Sequence, residues 1–98
     1  MSLYSTIGSN SLFMFLKRDR ATIIADILKA MRFSPTGKRK TKIMRTANLS
    51  YDQLNKYLDL LLRNGYVIVE GQVYKPTSRG LEFLETIESS YMKLKTRT

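Results

Sequence analysis

A mainly helical α+β domain is predicted for these 98 residues: three helices, a β-hairpin and a closing helix, in that order. Three observations predict it. The stretch Lys40 to Leu62 reads as a short helix, a tight polar break at Ala47-Asn48-Leu49 and a longer amphipathic helix. Tyr66 to Lys75 holds two β-rich runs around a glycine. Ile23, Ile24, Ile27, Leu28 and Met31 recur at helical spacing ahead of both.

The first helix is expected from about Arg20 to Arg32, with Asp19 as N-cap. Phe33-Ser34-Pro35-Thr36-Gly37 is a loop, because Pro and Gly end the helix. The second helix is expected over Thr41–Thr46, with Ile43, Met44 and Ala47 facing inward. Ser50 and Gln53 form a capping-box signature that opens the third helix, Tyr51 to Asn64. Leu54, Tyr57, Leu58 and Leu61 line its buried face, and Gly65 closes it in the left-handed region. Two helices joined by so short a turn must cross steeply, which is helix-turn-helix geometry. Tyr66-Val67-Ile68-Val69 and Gln72-Val73-Tyr74-Lys75 read as hairpin strands around Glu70-Gly71. That is a weak turn pair, because Glu resists positive φ, so a slightly longer loop is the alternative. Pro76 ends the second strand, and Thr77 or Ser78 caps a last helix running to about Lys95. Its acids come early and its bases late, in the order that complements the helix dipole.

Three helices followed by a hairpin make a winged helix. The run Lys40 to Leu62 with Asn64-Gly65-Tyr66 and Glu70 to Gly80 resembles the small archaeal winged-helix DNA-binding proteins. Its most specific piece is ANLSYDQLNKYLDLLLRNGYV followed by GQVYKPTSRGLEFL. The resemblance implies chromatin association and dimerisation through a long C-terminal helix in an antiparallel coiled coil. Here that helix is shorter than the resemblance leads one to expect, and residues 2–18 form an extension with no counterpart. Residues 1–18 are accordingly expected to be a partly ordered extension, 19–77 the winged-helix domain and 78–98 a dimerisation helix.

Formal net charge is +9, and its placement is uneven. From Lys17 to Arg45 there are ten Lys/Arg against Asp19 and Asp26. From Thr46 to Thr98 there are seven against six acids. The positive field therefore belongs to the N-terminal half and the helix-turn-helix, where it attracts phosphate polyanions. Lys38, Arg39, Lys40, Lys42 and Arg45 are candidate phosphate contacts, with Lys75 and Arg79 at the base of the hairpin. Tyr51, Gln53, Asn55 and Lys56 open the third helix, where a reading helix meets base edges. Tyr51 is expected half buried against the first helix. Gln53 also has the purely structural role of the cap. Glu70, at the hairpin tip, is an unusual residue for a wing that touches DNA.

Leu84, Ile87, Tyr91 and Leu94 recur at three-four-three spacing, a short coiled-coil seam. Ile87 and the residues after it are expected beyond reach of so small a core, which predicts a homodimer. In the alternative, Leu81, Phe83 and Leu84 dock on the domain and the rest is a solvated tail. Leu12, Phe13, Phe15 and Leu16 are the expected extra apolar surface for the partner.

The chain contains neither cysteine nor histidine, so a disulfide framework, a thiolate metal site and the commonest general base are all excluded. No glycine-rich phosphate loop precedes a helix. No enzyme activity, cofactor, metal or small-molecule substrate is expected. No apolar run reaches membrane-spanning length, and Leu12 to Leu16 lacks the flanks of a signal peptide. The expected partners are double-stranded DNA and a second copy, with no membrane, in the cytoplasm on chromosomal DNA. A sequence-specific regulator is the alternative within this class. A winged helix that docks a protein is the alternative outside it.

Overall fold

The computed structural model describes residues 18–97, with side chains through residue 90. Residues 1–17 of the expected N-terminal extension, with the Leu12 to Leu16 surface, lie outside the described residues, whereas Arg18 bonds to the domain. The elements are α1 (Arg20–Met31), β1 (Lys38–Arg39), α2 (Lys40–Ala47), α3 (Tyr51–Arg63), β2 (Val67–Glu70), β3 (Val73–Pro76) and α4 (Ser78–Arg97). The mainly helical α+β winged-helix architecture is therefore as expected, with one addition. The sheet has three antiparallel strands in the order β1-β3-β2.

Each helix is closed by the chemistry its sequence offers. The Asp19 carboxylate accepts from the Thr22 N–H at 2.8 Å and caps α1. Ser50 Oγ accepts from the Gln53 N–H, and Gln53 Oε1 accepts from the Ser50 N–H, both at 3.2 Å. That completes the capping box. Asn48 takes the left-handed conformation (φ 60°) after α2. This lets the Leu49 N–H reach Met44 O and the Asn48 N–H reach Arg45 O. Gly65 (φ 77°) does the same for α3, with the Tyr66 N–H on Leu61 O. Both helices of the motif thus end in the same locked turn.

The core is one cluster. Ile27, Leu28 and Met31 of α1 meet Ile43 of α2, Leu54, Leu58 and Leu61 of α3, and Val67 of β2. Buried Leu84 and Ile87 of α4 complete it. Here an expectation is overturned. Ile87 lies within reach of the core and is only 7% exposed, and Leu84 is fully buried. The reason is the direction of α4, which lies back along α1 and is pinned there by an Arg32–Glu88 ion pair at 2.9 Å. The first two members of the expected dimer seam are thereby used within their own chain.

The hairpin turn is Gly71-Gln72, one residue later than expected. Glu70 stays in the ladder opposite Val73, and only Gly71 takes a positive φ, of 63°. That is the pattern of a type II′ turn, which relieves Glu70 of a conformation it resists. The unforeseen strand β1 places Lys38 opposite Tyr74 and Arg39 opposite Val73.

The tightest junction joins the hairpin to α4. Thr77 Oγ1 donates to Gly65 O at 2.7 Å and accepts from the Gly80 N–H at 3.0 Å, so Thr77 is the cap of α4. The Thr77 N–H donates to Tyr66 O at 3.0 Å. A Cβ on Gly80 would stand 2.0 Å from that same oxygen. An alanine favours helix by about 1 kcal/mol over glycine. It would here have to displace a backbone carbonyl, and such overpacking costs about 3 kcal/mol or more. Gly80→Ala should therefore lower the urea midpoint, with a net loss of roughly 2 kcal/mol. An unchanged or raised midpoint would mean that α4 leaves this groove.

Candidate nucleic-acid interface

The two helices of the motif present different chemistry. On α2, Lys42 and Arg45 are exposed while Ile43 and Ala47 are buried. On α3, Leu54, Tyr57, Leu58 and Leu61 are buried, and the outward face carries Asp52, Gln53, Lys56, Asp59, Leu60 and Arg63. Asn55 is half buried on the flank. Both helices are rigidly closed, so this outward face is held at a fixed angle to the sheet.

Tyr51 differs from expectation. It is 58% exposed, more than expected. Its ring faces the Lys40 ammonium, 5.4 Å from the centroid, and the same ammonium lies 6.0 Å from the Tyr74 ring. Lys40, half buried, thus links the start of α2, the start of α3 and the central strand of the wing. A shallow cleft of about 340 Å³ opens beside it, lined by Arg39, Lys40, Thr41, Gly71, Gln72 and Tyr74. Strand β1 brings Arg39, exposed, and Lys38, half buried, to this edge.

The remaining candidates are more constrained. Lys75 forms an ion pair with Glu70 across the hairpin at 3.2 Å. Glu70 is therefore the partner that holds Lys75 on the wing. Arg79 is exposed at the base of the hairpin, with its guanidinium 5.2 Å over the Tyr66 ring. Four residues of strand separate that base from Gly71, roughly 13 Å. Lys56 is exposed and lies 5.7 Å over the ring of Tyr57. Gln53 has its carboxamide oxygen in the capping box, so only its amide nitrogen is free to donate outward.

The ion pairs sort the cations. Arg18, Lys29 and Arg32 pair with Asp26 or Glu88 along α1 and α4, Arg63 pairs with Asp59, and Lys75 with Glu70. Among the described residues no ion pair engages Lys38, Arg39, Lys40, Lys42, Arg45 or Lys56. Arg20 and Arg79 are also without an ion pair, but these six surround the helix-turn-helix and the wing edge beside it. Ammonium and guanidinium groups without an ion pair, set on two capped helices and a strand edge, are suited to neutralising a row of phosphates. Among the described residues, no group of three or more carboxylates is placed to hold a metal ion. No helix among them is long and apolar enough to cross a membrane.

Arg18 carries a contact that sequence reasoning misses. Its guanidinium donates to Asp26 Oδ2 at 2.6 Å, Ala47 O at 2.9 Å and Asn48 O at 2.9 Å. The last two acceptors lie 29 and 30 residues away in sequence, so no local pattern marks them.

Comparison with known proteins fits this geometry. Residues 17–95 match the winged helix-turn-helix family, and the chain belongs to it. It is 38% identical over 76 residues to the uncharacterized protein MJ0290 of Methanocaldococcus jannaschii, covering 78% of this chain. The match covers 35% of that relative, so the chain spans about a third of its length. A solved structure, Sso10a-2, described as a DNA-binding protein from Sulfolobus solfataricus, is similar with a TM-score of 0.68 at 25% identity. That match covers 82% of this chain and 84% of the other.

The helical phase of α3 yields a paired test. Leu58→Ala should cost about 2–5 kcal/mol of stability, because a buried side chain leaves a cavity. Lys56→Ala should cost no more than about 1 kcal/mol, the worth of its contact with the Tyr57 ring. Denaturant titration of both variants checks this, and a larger loss for Lys56→Ala would reverse the assigned face.

Proposed function

We propose that this chain binds double-stranded DNA as a homodimeric winged-helix protein with weak sequence preference, in an organising role on archaeal chromatin. One observation carries the reading: of the eight cations in residues 18–90 that no ion pair engages, six surround the helix-turn-helix and the wing edge, the other two being Arg20 and Arg79. Likeness to an archaeal protein described as DNA-binding supports it. On this reading Lys42 and Arg45 meet phosphates directly, Arg39 and Lys38 extend the track along the wing edge, and α3 approaches the major groove.

Weak sequence preference follows from the residues available to α3. Bidentate recognition of adenine needs both the oxygen and the nitrogen of an amide side chain. The Gln53 oxygen is already in the cap, and Asn55 is half buried. Asp52 and Asp59 are exposed on the same helix and repel phosphates. Phosphate contact therefore dominates, and it reads position rather than sequence.

A Lys42→Ala, Arg45→Ala double variant should weaken binding to random and to selected duplex alike. It should also flatten the dependence of log K on log salt by about two units. Gel-shift titrations at several salt concentrations measure both. Strong preference for a selected duplex would favour a regulator instead. Absence of salt-dependent binding would favour a protein-docking winged helix.

The dimer is proposed on the second half of the sequence seam. Leu84 and Ile87 are used internally, so Tyr91 and Leu94 are the positions left for a partner. Helix α4 spans about 30 Å and runs on to Arg97, beyond Ile87, the last core residue among those with described side chains. Sedimentation equilibrium should find a dimer at micromolar concentration. A Tyr91→Glu, Leu94→Glu variant should be a folded monomer, whereas Ile87→Glu should unfold the chain by placing a charge in its core. A monomeric parent chain would end the dimer reading.

A further inference from the structure

We infer that Arg18 is a positioning residue for the reading helix: it clamps the turn between α2 and α3 to α1, and duplex affinity depends on it although it touches no phosphate. This rests on the DNA-binding reading. The observations are geometric. Helix α2 ends at Ala47, and the chain turns through left-handed Asn48 into α3. The carbonyls of Ala47 and Asn48 are orphaned by the end of the helix and carry the negative end of its dipole. One guanidinium caps both at 2.9 Å. Its third recorded acceptor is Asp26, in the middle of α1, at 2.6 Å. The Arg18 side chain is 14% exposed, and its bonds to Asp26 and Ala47 are partly buried, while the one to Asn48 lies at the surface.

A planar fork is needed here. Arginine presents several donors in fixed directions, and two of its nitrogens serve three oxygens on two elements. A lysine ammonium at this position keeps the charge but not the spread of donors. The pair with Asp26 also cancels the charge, so Arg18 adds little to the external field. Its effect on binding must therefore pass through the angle of α3. The turn it holds is three residues long, Asn48 to Ser50, and any looseness there moves the whole outward face of α3.

The test uses the full chain with Arg18→Met, Arg18→Lys and Asp26→Asn. Random-duplex affinity should fall about tenfold in Arg18→Met, the scale of a lost charge-assisted bond. Its salt slope should equal that of the parent, because no phosphate contact is lost. Arg18→Lys should recover only part of the loss, and Asp26→Asn should weaken binding in the same direction. Hydrogen exchange at the Asn48 and Leu49 amides should quicken about tenfold in Arg18→Met, with the middle of α3 unchanged. A salt slope lowered by about one unit would make Arg18 a phosphate contact and overturn the inference. Parental affinity in a folded Arg18→Met variant, or full rescue by lysine, would overturn it too. If the parent chain binds no duplex, the functional reading fails, and the amide-exchange arm alone decides whether the clamp exists. Unchanged exchange at Asn48 and Leu49 would show that it does not.

Discussion

The close approach of α4 to the Tyr66 carbonyl governs the rest of the molecule. That oxygen accepts the Thr77 N–H and lies where a side chain on Gly80 would have to be. Thr77 completes the junction from both sides, donating to Gly65 O and capping α4 through Gly80. The stacked rings of Tyr66 and Phe83, 4.7 Å apart, seal it. The end of α3, the start of the hairpin, the end of the hairpin and the start of α4 therefore meet at one point. Once they meet, the course of α4 is fixed along α1, and Leu84 and Ile87 enter the core. The wing cannot tilt without moving α4, and α4 cannot move without exposing that core. A hairpin this short has little stability alone. Here it is stable because both of its ends are tied.

How much of this was legible in the sequence follows from which forces are local. The caps were legible, because Asp19, Ser50 with Gln53, Thr77 and Gly65 act within a few residues of themselves. The buried face of α3 was legible, because Leu54, Tyr57, Leu58 and Leu61 sit at helical period. Strand β1 was not. Lys38-Arg39 has no strand composition, and it is extended only because β3 offers it a partner. The exposure of Tyr51 was misread for a similar reason. Its neighbour is the Lys40 ammonium, set beside it by the turn and not by spacing along one helix. Ile87 was misread because periodicity says which residues share a face and not where that face points. The clamp of Arg18 joins residues about thirty apart and left no trace in any window.

The candidate site is a matter of charge that the fold leaves uncompensated. With +9 overall, a compact chain must neutralise or disperse its cations. Beside α1 it neutralises several of them, with Arg32 on Glu88 and Arg18 and Lys29 on Asp26. Around the helix-turn-helix it does not. The acids there, Asp52 on the first turn of α3 and Asp59 paired with Arg63, do not reach Lys42 or Arg45. Self-repulsion among such cations is a standing cost to the folded state, and a polyanion relieves it. Exposed pairs contribute little to stability, so pairing these cations would have gained the fold little. What distinguishes the face is its rigidity. Two helices closed by the same locked turn, joined by three residues and clamped by Arg18 to α1, hold the unpaired charges in one arrangement. A flexible basic tail would deliver the same attraction without a register. Fixed spacing lets such a face follow the regular rise of a phosphate backbone while remaining indifferent to the bases inside it.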